Sequence, residues 1–258
     1  MERMNSPGSL VSLLGAGLLA GAMNALAGGG SFFTLPALVL AGVPSLAANA
    51  SSTVALFPGG LASVWAYRGH LRPVGGVSLR TLMGVSLVGG LLGALLLLLT
   101  PQRAFDRVLP WLLLWATLMF AGGRRAGEAL RRRVRITAPP VLVLQFLLAI
   151  YGGYFGGAVG IMMMAVWSLL DSAGLHELNP AKTLLVAATN AVAVLCFIAA
   201  GKVAWPETLI LLGGAGVGGY AGARGAQYLS PRALRLGVLC VSGLMTVAFF
   251  VRAFSPAR

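Results

Sequence analysis

Small polar side chains and glycines interrupt two apolar stretches of this 258-residue chain. They share a hydrogen-bond donor or an open backbone and carry no carboxylate: Asn24, Gly28, Gly29, Gly30, Ser31, Asn49, Ser51, Ser52 and Thr53 in the first stretch and the segment after it, and Gly156, Gly157, Gly160, Lys182, Thr183 and Asn190 in the second stretch and the segment after it. A polar group in an apolar segment needs a partner, because leaving it unpaired costs free energy. Amides, hydroxyls, helix ends and one lysine suit an anion. The set predicts a binding site for a small anionic substrate.

Carboxylates are expected only in tails, loops or helix ends. The six acidic residues are Glu2, Asp106, Glu128, Asp171, Glu177 and Glu207. A cation carrier or a carboxylate proton relay would ordinarily need a carboxylate buried in the membrane. Coupling to protons would therefore go through the protonation of a weak-acid substrate. Cys196 and Cys240 lie in apolar segments without metal-type spacing, so no metal and no cofactor is expected.

Lys182 has two interpretations that the sequence leaves open. A lysine near a helix end commonly extends its ammonium to the membrane interface. A binding role is favoured equally, because Asn190 follows eight residues later on the same helical face. The internal repeat described below also aligns Lys182 with Ala50, inside the polar cluster that follows the first stretch.

Composition indicates an all-α integral membrane protein with many crossings. The chain is 58% hydrophobic and 10% charged, with a mean hydropathy of +0.87. Two long stretches, 10–46 and 141–172, are broken by glycines, and six further apolar segments have about the 20 residues that a spanning helix needs. These six lie near 47–67, 76–99, 106–122, 178–200, 207–229 and 235–254.

An internal repeat divides the chain. Four landmarks of the first part recur at a constant offset in the second: Gly21, Gly28, Leu46 and Gly69 as Gly153, Gly160, Leu178 and Gly201. The pattern predicts membrane repeats at 1–125 and 139–258, joined by an Arg-rich cytoplasmic linker at 126–138. Because the first pattern recurs in mid-chain, residues 1–30 are expected to stay in the mature protein although Ala25-Leu26-Ala27 resembles a signal-peptide cleavage site.

The glycine breaks allow two topologies. As one straight helix, residues 10–42 would extend roughly 50 Å, beyond a hydrocarbon core of about 30 Å. Each broken unit is therefore either a broken helix that crosses once or a re-entrant hairpin, and length favours the hairpin. Hairpins give inverted repeats, place both termini outside and bring the two breaks together near the bilayer midplane. Under either scheme the 19 Lys and Arg residues divide between the two sides of the membrane in the same uneven ratio, so they do not distinguish the two topologies.

A net charge of +13 is also typical of nucleic-acid-binding proteins, but the distribution of the basic residues favours a membrane location. Basic residues sit in short loops between apolar spans, as the positive-inside rule requires. The main cluster comprises Arg124, Arg125, Arg131, Arg132, Arg133 and Arg135. We expect this loop to be cytoplasmic and to contact anionic lipid headgroups, and no nucleic-acid partner is expected.

Several motifs together resemble the TauE/SafE sulfite exporter family, also called TSUP. The run from Gly21 to Ser31, followed by Pro36, looks like its N-terminal signature, and the run from Gly153 to Gly160 is similar to the second-half counterpart. Ala181-Lys182 with Asn190, and Val203 to Pro206, also fit. One departure is Asn49-Ala50-Ser51-Ser52, where the family often has Gly-Thr-Asn-Lys or Gly-Thr-Ser. The resemblance implies secondary transport of sulfite, sulfonates or related sulfur compounds in the bacterial cytoplasmic membrane.

The leading functional hypothesis is alternating access, with the two sequence halves rocking about the site. A passive anion channel and a non-transporting scaffold remain open alternatives, and an oligomer is compatible with the sequence. An intramembrane serine protease using Ser31 or Ser52 is disfavoured. Such an enzyme needs a partnered base, and the two histidines, His70 and His176, are expected in loops.

Overall fold

The computed structural model describes residues 7–26, 29–131, 138–170, 175–225 and 231–254. Its helices are α1 (Pro7–Leu26), α2 (Ser31–Leu40), α3 (Ser45–Tyr67), α4 (Leu79–Leu99), α5 (Gln102–Arg131), α6 (Ala138–Tyr154), α7 (Val159–Leu170), α8 (Leu175–Ala199), α9 (Trp205–Gly225) and α10 (Pro231–Phe254). A short 3-10 helix, Arg68–His70, follows α3. Within these ranges there is no β-strand, only an isolated bridge between Val74 and Val77. The all-α prediction is confirmed.

Several helices suit a membrane. By length and composition, Leu79–Leu99, Gln102–Gly122 and Glu177–Ala199 could each cross a bilayer, and shorter apolar helices accompany them among the described residues. On α4 the exposed side chains include Leu87, Leu91, Leu95 and Leu99. A continuous apolar surface of this kind is expected to face lipid rather than water.

Both predicted glycine breaks end a helix. The first lies between α1 and α2, where Gly29 has φ +96°, and the second lies between α6 and α7, where Gly156 has φ +74°. Only glycine adopts these backbone angles without strain, so the helices stop here. Ala158 also has a positive φ, of 58°.

Helices α1 and α9 pack closely and run parallel. Leu14 and Leu18 of α1 face Gly214 and Gly218 of α9 in the same order. A Cβ atom on Gly17 would lie only 2.7 Å from the Leu211 carbonyl oxygen. This close approach is typical of small residues between membrane helices.

Helices α4 and α6 pack in the same way. Gly89 faces Ala149, and Gly93 faces Gly153, so these two helices are also parallel. A Cβ atom on Gly89 would lie 2.7 Å from the Ala149 Cβ. The backbones are thus nearly in contact along this pair.

Helices α3 and α8 run antiparallel. The Ser51 hydroxyl, near the start of α3, accepts a hydrogen bond of 2.8 Å from the Ala204 N–H, just beyond the end of α8. Arg72, beyond the end of α3, forms an ion pair with Glu177 in the first turn of α8. We call the first region the Ser51 end of the bundle and the second the Glu177 end.

Each glycine break reverses the chain. Helix α9 begins next to Ala204, at the Ser51 end, and α1 is parallel to α9, so α1 also begins there. Helix α2 ends at the Ser51 end, because only residues 41–44 separate it from the start of α3. Helix α6 is parallel to α4, which begins near the Glu177 end. Helix α7 returns to that end, where Met163 and Trp167 share a buried cluster with Leu178 and Leu185 of α8.

Two helices extend beyond the apolar segments identified in the sequence. Helix α5 begins at Gln102, before the segment near 106–122, and continues to Arg131, within residues 126–138. Helix-forming Ala, Glu, Leu and Arg residues let it extend beyond the apolar segment. Helix α8 begins at Leu175, before the apolar segment near 178–200, and it contains Pro180.

Other predictions fall outside the described residues. These are Gly28, Glu2, Asp171 and the linker arginines Arg132, Arg133 and Arg135. The side chains of Arg124, Arg125, Glu128, Arg131 and His176 are likewise not described.

Candidate functional site

The second break brings polar groups together at the start of α7. Residues 155–158 connect α6 to α7. The Ile161 and Met162 N–H groups donate to the Ala158 carbonyl oxygen, which leaves the Val159 and Gly160 N–H groups without a backbone carbonyl partner among the described residues. A Cβ atom on Gly156 would lie 3.5 Å from the Thr53 hydroxyl of α3. The break therefore combines the positive end of a helix with a hydroxyl from a different part of the chain.

Lys182 lies against the same helix start. A Cβ atom on Gly160 would lie 3.3 Å from the Lys182 Cδ and 3.7 Å from its Cε. The lysine side chain thus extends past Gly160, where any larger residue would meet it. Among the described residues, no ion pair joins Lys182 to a carboxylate. The structure thus places Lys182 against Gly160 and Thr53 against Gly156, two glycines four residues apart at the second break.

Asn49 links α3 to the second break. Its side-chain nitrogen donates a hydrogen bond of 3.0 Å to the carbonyl oxygen of Tyr154, the last residue of α6. Thr53 donates to the Asn49 carbonyl oxygen at 3.0 Å. The Asn49 amide therefore satisfies one of the carbonyls that α6 leaves without a partner at its end.

Two further predicted residues lie on α8. The Thr183 hydroxyl donates to the Asn179 carbonyl oxygen at 2.8 Å, within its own helix. The Asn190 Oδ1 is buried and has no hydrogen-bond partner among the described residues. Buried acceptors are rarely left unpaired, so this oxygen is available to a bound molecule.

The first break is closed by its own side chains. The Asn24 Oδ1 accepts a hydrogen bond of 3.0 Å from the Gly30 N–H. The Phe32 ring would lie 3.2 Å from a Cβ atom on Gly29, and Ser31 begins α2 half-buried. Because the Gly30 N–H already has a partner, the two breaks differ in chemistry although their sequences are similar.

The hydroxyls of Ser51 and Ser52 also have protein partners. Ser51 accepts from the Ala204 N–H, as described above, and the Ser52 and Thr34 hydroxyl oxygens lie 2.5 Å apart. These bonds join α3 to α2 and to the start of α9.

Gly157, within the second break, is buried against the Phe155 ring.

Glu207 is a buried carboxylate at a helix end. It lies in the first turn of α9 and is only 6% exposed. Its position at a helix end was correctly predicted, and a negative charge is favoured at the start of a helix. Burial arises because this turn packs under α3, where Ser51 binds Ala204. The only sequence signal was the Trp205-Pro206-Glu207 helix start.

Comparison with known proteins identifies the family. A model of the family described as sulfite exporter TauE/SafE matches residues 13–249. The chain belongs to this family. The resemblance inferred from the motifs is thus confirmed, and it extends over nearly all of the TauE/SafE chain described here.

Relatives within the TauE/SafE family are named as transporters. The chain is 30% identical over 244 residues to the probable membrane transporter protein YfcA of Escherichia coli strain K12, covering 94% of this chain and 90% of the relative. It is 32% identical over 234 residues to the probable membrane transporter protein ORF9 of a Sinorhizobium species, covering 86% of this chain and 87% of the relative.

A third relative is the probable membrane transporter protein of Haemophilus influenzae, 26% identical over 242 residues and covering 92% of each chain. No solved structure matches. The family and these names support a membrane transporter rather than an enzyme.

Proposed function

We propose that this protein is a secondary transporter of a small, sulfur-containing anion such as sulfite or an organosulfonate. The single observation that carries the anion assignment is the position of Lys182 beside the start of α7. An ammonium group and a helix N-terminus at one place, with no carboxylate paired to the lysine among the described residues, favour a negative charge.

Electrostatics would make the site between Lys182 and the start of α7 selective for anions. Two unit charges about 4 Å apart attract by about 4 kcal/mol at an effective dielectric constant of 20. The first amides of α7 add the roughly half positive charge of a helix start. Lys182, these amides and the Thr53 hydroxyl would replace the hydration shell of the anion.

The remaining predicted residues divide into two groups. Asn190, with its unpartnered oxygen, would accept a hydrogen bond from a protonated oxyanion such as bisulfite. Asn24, Asn49, Ser51, Ser52 and Thr183 already have protein partners. They would hold the frame of the site, as would Gly29, Gly30 and Ser31 of the first break.

The architecture proposed for this function is a pair of inverted repeats, 1–125 and 139–258, each beginning with a re-entrant hairpin. Reciprocal packing supports it, since α1 packs on α9 and α6 packs on α4. The antiparallel arrangement of α3 and α8 supports inversion. Membership in a transporter family suits a location in the bacterial cytoplasmic membrane, with many crossings.

Orientation follows from the basic residues. Helix α5 begins at the Ser51 end, where Asp106 accepts a hydrogen bond from Ser45, and it runs towards the Glu177 end with the arginine cluster at its far end. The positive-inside rule makes the Glu177 end cytoplasmic. Helix α1 begins and α10 ends at the Ser51 end, so both termini would be outside.

Flux measurement tests the proposal. Purified protein in proteoliposomes is given labelled sulfite, with sulfate and a small organosulfonate for comparison. We expect saturable sulfite flux that weakens in Lys182→Ala and persists in Lys202→Ala, whose lysine is exposed in the loop before α9. Flux that does not saturate would favour a passive anion channel, and no flux of any compound would favour a scaffold.

A further inference from the structure

We infer that the units that move during transport are two bodies which each combine helices from both sequence halves. One is the continuous body, α4 to α8, residues 79–199. The other is the split body, α1 to α3 with α9, residues 7–67 and 205–225. The inference rests on the proposed transport function, and it replaces the earlier expectation that the sequence halves rock as units.

Backbone contact holds the split body together. Gly17 of α1 and Gly214 of α9 lie so close that a Cβ atom on Gly214 would be 2.7 Å from the Leu14 carbonyl oxygen. The Ser51 to Ala204 and Ser52 to Thr34 hydrogen bonds add links from α3 to α9 and to α2. Helices this close cannot slide past each other, because backbone atoms have no rotamers with which to move aside.

The continuous body is held in the same way. Glycines of α4 contact α6, and a Cβ atom on Gly90 would lie 2.8 Å from the Thr189 carbonyl oxygen of α8. The Gln145 side-chain nitrogen of α6 donates to the Ser86 hydroxyl of α4 at 2.8 Å, and both residues are fully buried. Contacts between α5 and α7 are also extensive. Each of these three pairs, α4 with α6, α4 with α8 and α5 with α7, joins different sequence halves.

Between the two bodies, no described glycine has a backbone atom of the other body among its nearest contacts, and the contacts differ at the two ends. Helix α3 meets α8, and α10, which packs mainly on α5 and also on α2, belongs to neither body. At the Ser51 end, the Gln102 side-chain nitrogen donates to the Ser45 hydroxyl at 2.7 Å, Ser45 donates to Asp106, and Asn49 binds the end of α6. Ser45 and Asn49 are buried, so their contacts at this end are shielded from solvent.

The Glu177 end is held more weakly. In the last turns of α3, Leu61 is 48% exposed and Trp65 is 68% exposed. The Arg72–Glu177 ion pair joins the bodies here, and both side chains are accessible to solvent. An exposed ion pair contributes only about 0–1 kcal/mol. The bodies would therefore separate first at the Glu177 end.

Two short connections suit a hinge. The chain passes between the bodies at residues 68–78 and at residues 200–204. Each connection contains a glycine in the left-handed region, Gly76 with φ +75° and Gly201 with φ +63°, and a Cβ atom on either would meet nothing within 4 Å. Residues of this kind absorb backbone rotation in hinge motions.

Paired spin labels distinguish the two bodies from the two halves. In a variant with Cys196 and Cys240 replaced by serine, cysteines are placed at exposed positions and labelled. Leu61 and Leu87 belong to one sequence half but to different bodies, whereas Leu91 and Leu147 belong to different halves but to one body. Distances are measured by electron spin resonance in nanodiscs, with and without saturating sulfite, and in Glu177→Gln.

We expect the Leu61–Leu87 distance to shift by more than the width of its distribution under either perturbation, while the Leu91–Leu147 distance stays constant. A shift confined to Leu91–Leu147, or constant distances in labelled protein that still transports sulfite, would overturn the inference. Absence of sulfite flux in unlabelled protein would instead remove the proposed function. In that case the distances measured in Glu177→Gln still show whether the two bodies or the two sequence halves move as units.

Discussion

Gly17 offers a sharp test of the contact between α1 and α9. In Gly17→Ala the new Cβ atom would lie 2.7 Å from the Leu211 carbonyl oxygen, 3.1 Å from the Gly214 Cα and 3.2 Å from the Ala215 N. All three are backbone atoms. Since favourable contact requires about 3.5 Å or more, α1 and α9 would have to separate by roughly half an ångström.

The expected cost follows from that separation. Overpacking a close-packed interface typically costs about 1–3 kcal/mol. Alanine has a higher helix propensity than glycine, by about 1 kcal/mol, which offsets part of this cost. Gly15→Ala is the matched control on the same helix, because a Cβ atom there would meet nothing within 4 Å. The difference between the two variants isolates the packing cost.

The assay is thermal unfolding of purified protein in one detergent, followed by the loss of helical circular dichroism. We expect Gly17→Ala to melt below the parent protein and Gly15→Ala to melt at or above it. For a chain of this size each kcal/mol corresponds to about 2–4 °C in Tm. Equal melting temperatures for the two variants would refute the backbone contact between α1 and α9.

Other predictions concern the site. Lys182→Ala should raise the half-saturating sulfite concentration about 10-fold to 150-fold, because a hydrogen bond to a charged group contributes about 1.5–3 kcal/mol; unchanged affinity in flux assays would remove Lys182 from the site. Thr53→Val should weaken sulfite affinity by a few-fold, whereas Thr183→Val, whose hydroxyl is bonded within its helix, should not; equal effects would argue against a contact from Thr53. Asn49→Ala should lower the free energy of unfolding by about 1–3 kcal/mol, since the Tyr154 carbonyl loses its donor; a Tm equal to that of the parent protein would contradict this. Asn24→Ala should likewise lower Tm but leave sulfite affinity nearly unchanged, whereas weakened sulfite affinity at an unchanged Tm would make Asn24 a ligand.

Helix positions were largely predictable from local sequence. Backbone groups in lipid must be paired within their own segment, so long apolar runs have little choice but to form helices. Glycine runs marked both breaks for the same local reason, since Gly29 and Gly156 adopt angles that other residues avoid. Differences were confined to helix ends such as Arg131 and Leu175, where local preference is weak.

Part of the candidate site was also predictable. Lys182 and Asn190 share α8, and Thr53 lies in α3, as the sequence indicated. The chemical difference between the two breaks was not predictable from the sequence. It arises because the Asn24 side chain binds the Gly30 N–H at the first break, whereas Lys182 lies against Gly160 at the second. Local sequence specifies which groups are polar, but not which of them find a protein partner.

By itself, the sequence determined that this is an all-α membrane protein of the TauE/SafE family with two broken helices and an anion-suited set of donors. Those properties follow from hydrophobicity, glycine angles and local motifs, which act over a few residues. Only the tertiary structure decided that Asn49 reaches Tyr154, that Glu207 is buried and that α1 packs on α9. These contacts join residues far apart in the chain, and they depend on how complete helices fit against one another.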